Sequence, residues 1–175
     1  SGRRQRQMCI RDREVILTIG RIVAAEDKAQ KLVDSYKKRL NLLREKSDKI
    51  QNKPKVYFEE WDDPTFSGIR WVSELIEIAG GEDIFANKSH GKLAMEREIQ
   101  WSDVIEKNPD VILASWCGKP VDIDSIKRRE GWNEITAIKN DRIHEIDSSI
   151  ILQPGPACLT DGLKAVSYTH LRAHE

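Results

Sequence analysis

Cysteine and histidine are scarce in this chain. Three cysteines and four histidines among 175 residues leave little from which to build a metal centre or a disulfide framework. Cys9, Cys117 and Cys158 lie far apart and form no CxxC pair, and only His90 and His144 fall away from the chain ends. No apolar run approaches the ~20 residues that a membrane span needs. GxSxG, the phosphate-binding P-loop, HExxH and GxGxxG are all missing, so the sequence offers no nucleophile elbow, nucleotide cradle or zinc-protease helix.

Charge of one sign is also absent overall: 29 basic residues balance 29 acidic ones. The balance hides a split. Residues 1–13 hold five arginines against Asp12, and residues 166–175 add Arg172 and Glu175. Without these ends the chain carries −4, 23 basic against 27 acidic residues. That excludes the basic face expected of a nucleic-acid partner. Both flanks lack apolar periodicity and turn chemistry, and QMCIRDR and VSYTHLRAHE look like translated adapter sequence. Residues 1–13 and 166–175 are therefore set aside as artefact flanks; residues 1–13 are expected to be irregular and outside any core, and the last helix to run out into the C-terminal flank.

What remains is well patterned. Ile22, Ala25, Ala29, Leu32, Val33, Tyr36, Leu40, Leu43 and Ile50 recur at spacings of three and four, the stripe of an amphipathic helix. From Ile22 to Ile50 it would reach about 42 Å, a length suited to bracing two lobes, and Asn52 and Pro54 end it. Beyond Pro54, strand and helix alternate. Lys55–Glu60, Asp110–Ala114, Ile135–Ile138 and Arg142–Ile146 read as strands. Phe66–Ala79, a short helix over Asp103–Lys107 capped by Ser102, Asp122–Arg129, and a last segment from Ala157 read as helices. The fold class is α/β, a mostly parallel sheet covered by helices. Residues 14–53 form the long helix with a short lead-in, and residues 54–165 form the α/β lobe.

In open α/β sheets, ligands bind beyond the carboxyl ends of the strands. Three such ends are legible: Glu60-Trp61-Asp62, Ser115-Trp116-Cys117-Gly118, and Asp147 to Gln153. Two place a tryptophan just past a strand. Such a ring either packs into its own lobe or offers a face to a flat apolar ligand, and two at one sheet edge favour a binding face. Trp71, Trp101 and Trp132 read as core. Glu59, Glu60, Asp62 and Asp63 cluster, which a solvated strand end beside a Pro turn accommodates as readily as acid–base chemistry. The candidates describe an aromatic cleft edge rather than an enzyme.

The segments VYFEEWDDPTFSGIRWVSELIEIAGGEDIF (Val56–Phe85), NPDVILASWCG (Asn108–Gly118), GW (Gly131–Trp132), AIKNDRIHEI and LQPGP (Leu152–Pro156) carry a resemblance. In order and spacing they are similar to the C-terminal lobe of the cobalamin- and iron-chelate-binding proteins of ABC importers. The resemblance implies two lobes joined by one rigid helix, with the N-terminal lobe missing here and Glu14–Arg21 its only remnant. It implies no enzyme activity, a location in the periplasm or at a lipid anchor outside the cell, and delivery of ligand to a membrane permease. Trp61, Trp116, Cys117, Glu60 and Gln153 would border the cleft, near a loop from Ser149 to Pro154. The family docks through an acidic residue on each lobe; no position matches it cleanly, and Asp103 and Glu106 are the candidates. The ligand implied is cobalamin, with haem or a ferric siderophore as the alternative. An anionic siderophore would favour arginines at strand ends, whereas Arg70, Arg128 and Arg129 fall on helices, which tilts the choice to a corrinoid. A metallocluster enzyme component would need cysteine or histidine ligands, and only Cys117 qualifies. With one wall of the cleft missing, the chain alone is expected to bind weakly.

Overall fold

The computed structural model describes residues 7–153 and 155–171. It divides into two compact units between Lys49 and Ile50.

The first unit is a pair of helices, α1 (Gln7–Ile22) and α2 (Glu26–Ser47), packed on one another. Two expectations are corrected here. Residues 7–13, set aside as irregular, are the first two turns of α1; Gln, Met and Arg are good helix formers, and neither Gly nor Pro interrupts before Gly20. The apolar stripe does not start one continuous helix at Ile22. The chain turns at Val23–Ala25, where Ala24 takes φ +50°, and α2 is continuous only from Glu26. Ile22 accordingly ends α1 and is 77% exposed. The α2 helix buries Ala29, Val33 and Leu40, the central members of the stripe. Gly20 sits at the crossing: a Cβ there would lie 2.4 Å from the Ala29 Cβ, so the helices meet because that side chain is absent.

The second unit is an α/β lobe. Its five-stranded sheet runs β2–β1–β4–β5, with β1 Lys55–Asp62, β2 Thr65–Ser67, β4 Val111–Ala114 and β5 Ile143–Glu145; β3 (Glu82–Asp83) also pairs with β1. β3 and β4 each pair parallel with β1, β5 pairs parallel with β4, and β2 folds back antiparallel on β1. Val56 faces Val111, and Glu59 faces Ala114, which brings the carboxyl ends of β1 and β4 together. All four residues of β4 are fully buried, as expected of a central strand covered on both faces. Tyr57, Ile112, Ala114 and Ile143 join Val104, Ile126 and Trp132 in one core. Val104 lies on α4 (Trp101–Lys107) and Ile126 on α5 (Ile123–Lys127). Phe58 and Leu113 alternate to the other face. α3 (Arg70–Ile78) packs against α8 (Leu163–Leu171), with Val72, Leu75, Ile76, Leu163 and Val166 buried.

Several boundaries differ from the sequence reading. Phe66 and Ser67 belong to β2 rather than to a helix. Gly68 separates that strand from α3 and lets the chain pass the Phe58 ring, where a Cβ would sit 3.1 Å away. Ser102 does not cap α4; Gln100 does, with Asp103 accepting its amide at 3.3 Å. Ile135–Ile138 is not a strand. Thr136–Lys139 is a helical turn, α6, because Asn108 Oδ1 accepts from Thr136 N at 2.8 Å and Pro109 O from Ala137 N at 3.0 Å. A short helix, α7 (Ser148–Ile151), follows β5, and a π-helical turn at Cys158–Gly162 leads into α8. Residues 166–171, assigned to the artefact tail, continue α8, and Val166 and Ser167 are buried. Residues 1–6, Pro154 and residues 172–175 lie outside the described residues.

Candidate functional site

The carboxyl ends of β1 and β4 form one edge, and the turn after β4 closes over it. Ser115 N donates to Glu59 O at 2.9 Å, extending the strand pairing one step past Ala114. Gly118 adopts φ +78° with open space around it, so glycine is needed there for its backbone conformation. Pro120 then fixes the exit. This turn delivers Lys119 over the strand ends. Its Nζ lies 4.4 Å from the centroid of the Trp61 ring and 4.7 Å from that of Trp116. The same ammonium donates to both Asp62 carboxylate oxygens, at 2.8 and 3.0 Å. Partial burial of Asp62 acts to raise its pKa, but the Lys119 hydrogen bond, local backbone amides and the Lys119 charge outweigh it, and the carboxyl titrates below its ordinary value.

An open cleft of about 590 Å³ adjoins this arrangement. Trp116, Lys119 and Pro120 from the turn after β4 line it together with Glu145, Ile146 and Asp147 at the end of β5; Trp61 is not among its lining residues. Glu145 accepts the Val121 amide at 3.0 Å, and Asp147 caps α7 through Ser149 N at 2.8 Å. Ser149, through its hydroxyl first and its backbone amide second, holds the Asp147 pKa below its usual value.

Beneath the cleft lies a buried polar cluster that the sequence reading missed. Glu59 is fully buried, not part of a solvated carboxylate patch. Arg129 grips it with two hydrogen bonds of 2.5 and 2.9 Å, a bidentate geometry that suits guanidinium and carboxylate. Tyr57 OH donates to Glu59 at 2.9 Å and Trp116 Nε1 at 3.1 Å. Burial first, and the Glu59 charge second, push the Tyr57 phenol well above its ordinary pKa. The Arg129 guanidinium also lies 4.5 Å from the Trp132 centroid and 4.9 Å from that of Trp101. The signal that could have exposed this cluster is an acidic residue at an inward position of a strand, which demands a cationic partner.

The predicted site residues are thus placed unequally. Trp61 and Trp116 meet at one edge through Lys119. Trp116, expected at an open loop tip, is only 4% exposed: it forms the wall's inner layer, tied down by Glu59. Glu60 is engaged away from the cleft residues, by Arg97 at 2.5 and 2.8 Å and by the Ile69 amide at 3.0 Å. Cys117 is an exposed free thiol. Gln153 is exposed, and its carbonyl accepts from Cys158 Sγ at 2.7 Å; neither residue is among the cleft lining. The stretch from Ser149, expected as a loop, begins inside α7. Asp103 is occupied in capping α4, while Glu106 on the same helix is exposed. Trp101, read as core, is 43% exposed, and Trp132 is fully buried. Among the described residues no group of three or more His, Cys, Asp and Glu side chains is placed to hold a metal ion, and no helix is long and apolar enough to cross a membrane.

Comparison with known proteins places this geometry in context. Residues 13–150 match the model of a family described as periplasmic binding protein. An uncharacterized ABC transporter substrate-binding lipoprotein of Bacillus subtilis (strain 168), YvrC, is 28% identical over 154 residues, covering 85% of this chain and 46% of that protein. A vitamin B12-binding protein of Vibrio parahaemolyticus is 26% identical over 134 residues, 75% of this chain and 46% of that protein. The chain therefore spans about half the length of these curated relatives. The crystal structure of a possible iron-binding (periplasmic solute-binding) protein from Staphylococcus epidermidis superposes with a TM-score of 0.76 at 24% identity, covering 93% of this chain and 62% of that one. At that identity the likeness is one of fold.

Proposed function

The chain belongs to the periplasmic binding protein family, and from that premise we propose that the whole protein captures a corrinoid outside the cytoplasm and delivers it to the membrane permease of an ABC importer. The observation that carries the reading is the convergence of Trp61 and Trp116 at the carboxyl edge of the sheet, beside an open cleft. Flat, partly apolar ligands bind against rigid aromatic walls with few polar fixtures, and the vitamin B12-binding relative supports that ligand class. The protein acts by holding and releasing its ligand, with no chemical step. It works in the periplasm or from a lipid anchor, as the substrate-binding lipoprotein relative suggests. Asp103 and Glu106 on α4 remain its candidate permease contacts; Glu106, the exposed one, is the better placed.

A second reading keeps the class and changes the ligand to haem or a ferric siderophore. The ammonium of Lys119 in the cleft lining favours it, since those ligands carry acidic groups that a cation would receive.

Calorimetric titration of the full-length protein with cyanocobalamin tests the choice. Trp61→Ala should weaken binding severalfold, in line with about 0.5–1.5 kcal/mol for an aromatic contact beyond area burial, while leaving folding largely intact. Trp116→Ala should weaken binding as well but also cost about 3–5 kcal/mol of stability, because that ring is buried. Unchanged affinity in both variants removes these residues from the site. Saturable binding of a ferric siderophore without cobalamin binding establishes the second reading.

A further inference from the structure

The faces of Trp61 and Trp116 that Lys119 bridges, beside a cleft that Trp116 lines and Trp61 adjoins, are already covered. A stacked ring would bring its centroid to about 4.5 Å or more from each indole, and Lys119 Nζ occupies that layer at 4.4 and 4.7 Å. An occupant cannot stack there while the ammonium stays. The side chain is free to leave: it is 40% exposed and ends a flexible four-carbon stem, on a turn whose backbone need not change. What it loses on leaving is contact with two ring faces; what it keeps is Asp62. An ammonium has three N–H donors, and an occupant bearing a carboxylate on its ring periphery would give a displaced donor a new acceptor. The rest of the cleft pushes the other way. Glu145 and Asp147 also line it, and Lys119 is the one basic residue among the described lining residues. Without it, an acidic occupant would meet only acidic walls.

We propose that Lys119 selects the ligand by charge, vacating the two indole faces for a flat occupant that carries a carboxylate on its ring periphery and opposing one whose ring periphery is neutral. The proposal rests on the reading that Trp61 and Trp116 form the ligand wall, and it adds that the preferred ligand is a flat macrocycle with at least one peripheral acid.

The test uses two probes that differ in one group: cyanocobalamin, and its monocarboxylate in which one peripheral amide is hydrolysed. Both are titrated into the full-length protein and into its Lys119→Ala and Lys119→Arg variants while the indole N–H resonances of Trp61 and Trp116 are followed. The unaltered protein should favour the monocarboxylate by about fivefold, the upper scale of one exposed ion pair. Lys119→Ala should lose that preference and bind the parent amide more tightly than the unaltered protein does. Lys119→Arg should keep the preference. A preference that survives in Lys119→Ala, or weaker binding of the amide by that variant, overturns the proposal. If neither corrinoid binds any of the three proteins, the corrinoid reading fails separately. The same comparison with gallium protoporphyrin and its diamide then decides the role of Lys119, and equal binding of the two by the unaltered protein overturns it.

Discussion

Glu59 and Trp116 stand 57 residues apart in the chain and share one buried hydrogen bond, indole Nε1 to Oε1 at 3.1 Å. Glu59 ends the inward-facing row of β1, and Trp116 begins the turn after β4. The bond adds a buried side-chain tie to the backbone pairing of the two strand ends. Arg129 neutralises the carboxylate from a third element, just beyond α5, so the wall of the cleft depends on an ion pair removed from water.

Removing Glu59 should therefore be costly. Glu59→Ala leaves the Arg129 guanidinium buried and unpaired, a situation that costs about 3–5 kcal/mol. Urea unfolding followed by tryptophan fluorescence would measure it. The double variant Glu59→Ala/Arg129→Met should recover part of the loss, since no uncompensated charge remains. A loss below about 1 kcal/mol in the single variant would mean the pair is not buried as described.

The Lys119 contact should come apart in acid. Asp62 has a depressed pKa in the folded chain, so its contribution is present at neutral pH, above the carboxylate's unfolded pKa, and is lost as pH falls through the lower folded value. The Trp61 indole resonance, followed from neutral pH downward, should move with a midpoint below the usual carboxylate range. In Asp62→Asn that movement should vanish. A midpoint at or above the ordinary value would contradict the ion pair.

The helical pair has its own weak point. Gly20→Ala would force a methyl against Ala29, where the gap is 2.4 Å, and overpacking of this kind costs about 1–3 kcal/mol. Thermal melts by circular dichroism should show Gly20→Ala lowered and Gly20→Ala/Ala29→Gly largely restored. Equal melting of the single variant and the unaltered chain would place the crossing elsewhere.

Where the sequence was legible, a single physical signal acted alone. Asp110–Ala114 is nearly all apolar and short, and only a strand covered on both faces needs that. The stripe through Ala29, Val33 and Leu40 has helical spacing and became the buried face of α2. Where signals competed, tertiary contacts decided. Ile135–Ile138 has four residues of strand-like character, yet Asn108 and Pro109 hold it as a helical turn, and a run that short carries no period of its own. Phe66 and Ser67 fit the helical spacing of the residues after them; pairing with Trp61 and Glu59 made them strand. The site followed the same rule. Strand ends bearing Trp61 and Trp116 could be picked out by position, whereas Lys119 is one lysine in a Gly-Lys-Pro turn with no pattern to mark it. Arg129 was read as a helix residue because nothing local reveals a partner 70 residues away.

The β1 strand is paired on both sides, to β4 along one edge and to β2 and β3 along the other. Freeing its amides means parting several neighbours at once, which makes it one of the last segments to open in any partial unfolding of the lobe. The turn that carries Lys119 is held by less: within it a backbone hydrogen bond of 3.5 Å from Lys119 N to Trp116 O, and beyond that the side-chain grips of Asp62 on Lys119 and of Glu145 on the Val121 amide. The floor under the two tryptophans and the residue that covers them thus answer to different free energies. The cover can lift on its own many times over without the floor beneath it ever breathing.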